Sequence, residues 1–246
     1  MKVKLLSKRE IAEGTMEFCF EKPEGLNFKA GQHFVLRLIN PPETDEKGNE
    51  RVLSVVSSPD ENKICFAIRM RNSDFKRLLK NLPPEPEQST VQGKVEIELD
   101  GPYGQMVLPK DTNKTLTFIA GGIGITPFIS MIRYAIKNNL PYKIYLFYSN
   151  RRPEDTAYLD ELLEYNKQGK IKLIATMTQT ENSSQPWDGE RGYINEEMIK
   201  KYLGEEIENV TFYIAGPPQM SQAMYELLSN MGVDEEKIKG ENFSGY

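Results

Sequence analysis

Two groups of residues in this sequence could do chemistry: an arginine with hydroxyls on a strand-like run, and glycines at the ends of apolar runs. The first is RVLSVVSSP, residues 51–59. Val52, Leu53, Val55 and Val56 suit a strand, Arg51, Ser54, Ser57 and Ser58 interrupt it, and Pro59 ends it. No carboxylate is expected to pair Arg51, which leaves its partner open. The second is LTFIAGGIGITPF, where an apolar strand runs into Gly121, Gly122 and Gly124 and then a helix. Glycines without Cβ let backbone N–H groups approach a phosphate, and a helix N-terminus adds roughly half a positive charge. Thr126 is expected as the N-cap and Pro127 as the first helical residue. The pattern departs from G-x-G-x-x-G because Pro127 takes the last place, so a tight turn without ligand is the alternative. YIAGPPQM repeats the arrangement: strand 210–215 ends at Gly216, and Pro217 or Pro218 opens a helix carrying Met220. Ligands of open α/β sheets sit beyond the carboxyl ends of the strands, so both turns face one crevice. About 20 residues after the first glycine turn an acidic residue would hold a ribose 2′-hydroxyl. Ser149, Asn150, Arg151 and Arg152 stand there instead, which leans toward a 2′-phosphate and NADPH.

These residues need two different frameworks. Up to about residue 110 the chain reads as six short strand-like runs separated by turn clusters such as KPEGLNFKAGQ and NPPETDEKGNE, which indicates a small antiparallel barrel or sandwich. One helix interrupts them near SDFKRLLKNL, with Ser73 as N-cap. From about residue 115, strands alternate with helices, the grammar of a doubly wound parallel sheet. The boundary falls in PKDTNK, giving domains of residues 1–110 and 111–246. Trp187, in the long polar loop 178–192, reads as a loop anchor.

The totals exclude several classes. The net charge of −5 makes nucleic acid an unsuitable partner. Two cysteines, Cys19 and Cys65, cannot build a disulfide framework or a thiolate cluster. His33 is the single histidine, which argues against a histidine metal site or a Ser-His-Asp triad and for a structural role at a strand start. The 18 uncharged residues from Thr115 to Ile132 have the length of a membrane span, but Gly121, Gly122, Gly124 and Pro127 punctuate them as a turn. The N-terminus has no signal-peptide pattern, and a cytoplasmic location is expected.

RVLSVVSSP, RNSDF, GPYG, GGIGITPF, AGPPQM and the terminal ENFSGY occur in that order over nearly the whole chain. Together they resemble the ferredoxin–NADP⁺ reductase family of flavoproteins, in its short prokaryotic form without an iron–sulfur domain. The resemblance implies an N-terminal FAD-binding β-barrel and a C-terminal NAD(P)-binding domain. It implies that Arg51 pairs with the FAD pyrophosphate, that Ser54 lies near flavin N5, and that the turn at Ser73 holds the pyrophosphate at a helix start. Gly121, Gly122, Gly124, Thr126, Gly216, Pro217 and Met220 would bind the nicotinamide nucleotide. Glu241 would lie near the nicotinamide, Phe243 over the flavin and Tyr246 against the adenine. Three positions depart from the family pattern. Leu53 stands where a stacking Tyr or Phe is usual, Ile123 where Thr is common, and Ala215 where many relatives have cysteine. Thr178-Gln179 occupies the place of the usual Ser-Arg contact to a 2′-phosphate, against the hint from Arg151 and Arg152. The implied activity is an FAD-dependent NAD(P)H oxidoreductase passing electrons to a separate acceptor: a ferredoxin, a flavodoxin or an oxygenase component. Lys76, Arg77 and Lys80 could dock an acidic carrier, or form a solvated helix face. The alternatives are an FAD-binding electron-transfer subunit of a larger complex, or a non-catalytic nucleotide-binding regulator on the same scaffold.

Overall fold

A computed structural model of the chain describes residues 1–84 and 95–242. The N-terminal strands are β1 (Lys2–Val3), β2 (Leu5–Ala12), β3 (Thr15–Glu21), β4 (His33–Ile39), β5 (Glu50–Ser54), β6 (Lys63–Arg69) and β7 (Glu96–Tyr103). They form two antiparallel sheets, ordered β1-β7-β4-β5 and β2-β3-β6. The sheets meet where β1 runs on into β2, and where Val55 bridges to Phe66. The run MKVKLL is thus two strands, one in each sheet, rather than one. Alternation in β4 sends Phe34, Leu36 and Leu38 inward, where they pack with Phe18, Phe20 and Phe66 in one buried core. Each such burial contributes about 1.5–3 kcal/mol. Helix α1 (Asp74–Asn81) adds Phe75 and Leu79 to that core, and the Ser73 side chain caps it by accepting from the Lys76 N–H. Cys19 and Cys65 lie opposite each other on β3 and β6 and are joined as a single cross-strand disulfide, so the pair makes one bridge though not a framework.

The C-terminal half holds β8 (Thr115–Gly121), α2 (Thr126–Lys137), β9 (Lys143–Asn150), α3 (Leu159–Lys167), β10 (Lys172–Met177), β11 (Glu190–Arg191), α4 (Glu196–Leu203), β12 (Val210–Gly216), α5 (Pro218–Asn230) and β13 (Ile238–Asn242). Every pairing in its sheet is parallel, in the order β11-β10-β9-β8-β12-β13. The strands read as continuous apolar runs because both faces are covered. Phe118, Leu146 and Tyr213 share a core with Phe128, Ile129 and Leu162, from α2 and α3. Ile119, Phe147 and Phe212 share another with Ile199, Leu203 and Leu228, from α4 and α5. The chain order reverses between β8 and β12, so the crevice of a doubly wound sheet opens beyond the ends of those two strands.

Two local expectations change. Residues 122–125 form a 3₁₀ turn and α2 begins at Thr126 itself. Thr126 is therefore not the N-cap; its hydroxyl donates back to the Ile123 carbonyl at 3.1 Å. Pro127 is correspondingly the second residue of the helix rather than the first. Among the described residues no helix is long and apolar enough to cross a membrane, and the uncharged run 115–132 is a strand, a turn and part of α2.

Candidate functional site

The first part of the site is built on β5 and α1. Arg51 pairs with Leu36 and Leu53 with Phe34 on β4, so Arg51 and Leu53 project to one face of β5. Val52 and Ser54 project to the other, with Val35 and His33 opposite them. Arg51 does have a carboxylate partner, contrary to the expectation from sequence. Its Nη2 donates to both oxygens of Asp45 at 2.7 Å, and Ser73 Oγ donates to Asp45 Oδ2 at 2.7 Å. Asp45 lies in a turn six residues before Arg51, closed by Gly48 N–H donating to the Asp45 carbonyl at 2.8 Å. The composition of that stretch marks a turn but carries no sign of where its side chain points. The Arg51 guanidinium also lies 4.6 Å over the Phe75 ring, while Nη1 donates to the Lys47, Gly48 and Glu50 carbonyls. The hydrogen bond from Ser73, then Arg51, holds the Asp45 carboxyl down to about 2. Burial first, then Arg51, Arg71 and Lys47, lowers Lys76 to about 8.

Ser54, at the end of β5, is 4% exposed, and its Oγ is buried without a hydrogen-bond partner among the described residues. Leaving such a hydroxyl unsatisfied costs about 1–3 kcal/mol. It is the group in this strand most in need of an outside partner.

The second part is the pair of glycine turns. They are pressed together more tightly than a phosphate cradle alone requires. A Cβ on Gly124 would sit 2.4 Å from the Ala215 carbonyl oxygen and 2.7 Å from Gly216 Cα. On Gly121 it would meet Met220 Sδ at 2.2 Å and Pro217 Cδ at 3.1 Å. Gly122 differs: φ is +53° and no atom lies within 4 Å of where its Cβ would be. Gly121 and Gly124 are thus needed to dock the β8 turn on the β12 turn, and Gly122 keeps the exposed side open. Ala215 is fully buried, and its neighbour on β13 is Glu241.

Helix α2 joins the two parts. Ser130 Oγ donates to the Ser57 carbonyl at 2.7 Å and Arg133 Nη1 to the Val56 carbonyl at 2.9 Å, just past Ser54. Arg133 is itself gripped by Glu161, Nε to Oε1 and Nη2 to Oε2, both at 2.7 Å. It also lies 5.0 Å over the Tyr158 ring, whose hydroxyl donates to Glu17 on β3 at 2.9 Å. The helix that starts at the glycine turn is therefore fixed to the strand that carries Ser54.

The remaining candidates sort clearly. Arg152 is committed within the protein: it binds Asp155 at 2.9 and 3.0 Å, Glu13 at 3.1 Å and Glu154 at 3.4 Å, so it is not held out for a 2′-phosphate. Arg151 is exposed, beside Thr178 and Gln179, whose N–H groups donate to the Asn150 and Arg151 carbonyls. Lys76 turns inward to the Arg69 carbonyl, and Arg77 pairs with Glu43 and Asp74, which leaves little of a docking face. Trp187 anchors its loop by donating from Nε1 to the Glu190 carbonyl at 2.8 Å. Phe243 and Tyr246 lie outside the described residues. Among the described residues there is no cluster of metal-ligating side chains.

Residues 118–226 match the family described as the oxidoreductase NAD-binding domain. The solved ferredoxin NADP⁺ reductase from Neisseria gonorrhoeae, with bound FAD and NADP, superposes with a TM-score of 0.78 at 22% identity, covering 98% of both chains. The chain therefore has the fold of the ferredoxin NADP⁺ reductases, with an oxidoreductase NAD-binding domain over residues 118–226. Some of the similar proteins are named as parts of larger systems. The ferredoxin reductase in carbazole 1,9a-dioxygenase superposes with a TM-score of 0.78 at 22% identity, over 99% of this chain and 69% of its own. One subunit of the Na(+)-translocating NADH-quinone reductase of Marinomonas sp. is 30% identical over 205 residues, 79% of this chain and 49% of the relative. The reductase component of propane 2-monooxygenase of Rhodococcus jostii is 26% identical over 91% of this chain and 57% of its own length. The chain thus spans about half of these curated relatives.

Proposed function

We propose that this reductase-like chain is an FAD-dependent NAD(P)H oxidoreductase, with residues 1–110 holding FAD and 111–246 the nicotinamide nucleotide. The buried, unpartnered Ser54 hydroxyl carries the reading, because it sits on a strand fixed through α2 to the glycine-turn crevice. It would hydrogen-bond the flavin near N5. Arg51, Ser73 and the start of α1 would hold the FAD pyrophosphate, and the nearby Arg71 and Lys76 suit a group with two negative charges. Leu53 would pack on the isoalloxazine. Gly121, Gly122, Gly124, Thr126, Gly216, Pro217 and Met220 would line the nucleotide crevice, and Glu241 on β13 would lie beside the nicotinamide. Phe243 over the flavin and Tyr246 on the adenine are kept as expectations of the resemblance.

Bound FAD would accept a hydride and release electrons singly, while the protein orients the two cofactors and excludes water. The acceptor would be a separate protein, a ferredoxin, a flavodoxin or an oxygenase component, in the cytoplasm where NAD(P)H is available. NADH is favoured over NADPH, since Arg152 is already bound to three carboxylates. The similarity to a subunit of an NADH-quinone reductase supports a second reading, an electron-transfer subunit of a permanent assembly. Anaerobic mixing with NADH and with NADPH tests the proposal. Flavin absorbance bleaches, faster with NADH; no bleaching with either nucleotide defeats the enzyme reading and leaves a nucleotide-binding regulator.

A further inference from the structure

The seat at Arg51 is closed by the chain's own anion. Arg51 has a side chain only 9% exposed, and its Nη2 donates to both Asp45 oxygens at 2.7 Å, with Ser73 Oγ farther off at 3.5 Å. Three backbone carbonyls take Nη1, and Ser73, the cap of α1, gives its hydroxyl to Asp45 rather than to solvent. No phosphate can reach Arg51 and Ser73 together while Asp45 stays. The turn that carries Asp45 can leave without dismantling a sheet. It lies between β4 and β5, and its bridge is the local pair Asp45–Gly48. Asn40, φ 51°, and Gly48, φ 71°, stand near its two ends in left-handed conformations that allow sharp changes of direction.

We infer that Asp45 is a specificity-determining residue of the cofactor seat: a tethered carboxylate that rejects simple phosphates and yields only to a diphosphate bound at the same time through its flavin and adenine. The inference rests on the FAD reading above. A free phosphate or pyrophosphate carries charge enough for the seat but must overcome the high effective concentration of a group on the same loop, with no ring systems to add binding. The FAD diphosphate brings one more negative charge than Asp45 to the side of Arg51, Arg71 and Lys76, and its two ring systems supply binding the carboxylate lacks. Asp45 stays ionised at all neutral pH values, so it guards the seat throughout that range.

The test compares apo wild type with Asp45→Asn. FAD is titrated by flavin fluorescence, and inorganic pyrophosphate alone is titrated by calorimetry. Asp45→Asn is expected to tighten FAD by about tenfold or more and to create saturable pyrophosphate binding that wild type lacks at the same concentrations. Asp45→Glu keeps the charge but cannot hold Arg51 and Ser73 in the same geometry, so it gives an intermediate FAD affinity and guards against misfolding of the neutral variant. Glu46→Gln, next door in the turn, leaves both titrations unchanged. Unchanged or weaker FAD binding in Asp45→Asn and Asp45→Glu, with wild type binding FAD in an Arg51-dependent way, overturns the role of Asp45 alone. Failure of wild type and every variant to bind FAD overturns the flavin reading with it.

Discussion

The barrel seat and the glycine crevice, both proposed above to take phosphates, are built from opposite materials. The seat uses side-chain charge: Arg51, Ser73 and nearby lysines, with Asp45 holding the place. The crevice uses backbone and shape: Gly121 and Gly124 pressed on Gly216, Ala215 and Met220, and Gly122 left open. A charged seat tolerates local movement, since a guanidinium can follow its partner. A close-packed turn does not, because its geometry depends on atoms that are absent. Substitutions in the crevice should therefore act through sterics and spare FAD. Substitutions in the seat should act through charge and spare the nucleotide.

The largest effect falls on Gly124. An alanine there meets the backbone of Ala215 at 2.4 Å, which cannot rotate away as a side chain could. Overpacking of this kind costs about 1–3 kcal/mol or more. Gly124→Ala should slow nucleotide-driven flavin reduction by about a hundredfold, with FAD still bound, as read by anaerobic stopped flow. Gly121→Ala should be milder, because the nearest atom is the flexible Met220 sulfur. Equal damage from both would break the steric account. Arg133 comes next, since it belongs to neither site and ties them together. Arg133→Lys loses the two-pronged grip on Glu161 and the bond to the Val56 carbonyl. Flavin reduction should fall by about tenfold with the Kd for FAD unchanged. Asn138→Ala, which removes a different bond from α2, to Asp60, should leave that rate alone.

The crevice is far easier to read in the sequence than the seat. Strand–glycine–helix punctuation is local, and a buried parallel strand announces itself by its apolar run, so GGIGITPF and AGPPQM mark their places directly. Thr126 differs from its expected role because a 3₁₀ turn replaces the expected loop, a difference of backbone hydrogen bonding that composition does not encode. In the seat, Arg51 and Ser73 are singled out only through motif resemblance, and the Ser73 cap is visible in RNSDF. Asp45 escapes such a reading because its contact depends on which way a polar turn folds over β5. Arg152 looks available in the sequence for the same reason: the turn folds it back on Asp155 three residues on, and Glu13 joins from 139 residues away.

Leu53 sharpens the comparison on the side of FAD. It is half-buried beside the seat and lacks the π face that the resemblance leads one to expect there. Leu53→Tyr should gain part of the roughly 0.5–1.5 kcal/mol that aromatic stacking adds, about a two- to tenfold fall in the Kd for FAD. Nucleotide affinity should not move. If the Kd for FAD is unaltered, the flavin does not lie on this face of β5.

The smallest effect is a proton. Lys76 is lowered to about 8 by burial and then by Arg51, Arg71 and Lys47, whereas in the unfolded chain it titrates near its usual 10.5. Between those values the unfolded chain holds more protons, so apo stability should rise with pH across that window; below pH 8 Lys76 is charged in both states and the full cost of holding it remains. A diphosphate in the seat favours the charged lysine and raises its pKa. FAD binding should therefore take up a proton between about pH 8 and 10.5, and FAD affinity should weaken as pH rises through that window. Calorimetry at about pH 9 in two buffers of different ionisation enthalpy reads the proton directly, and Lys76→Met should abolish it. Gly121, Gly122, Gly124 and Gly216 carry no ionisable side chain, so binding at the crevice should show no Lys76-linked uptake. Buffer-independent FAD binding in wild type would place the diphosphate away from Lys76 and reduce the seat to Arg51 and Ser73 alone.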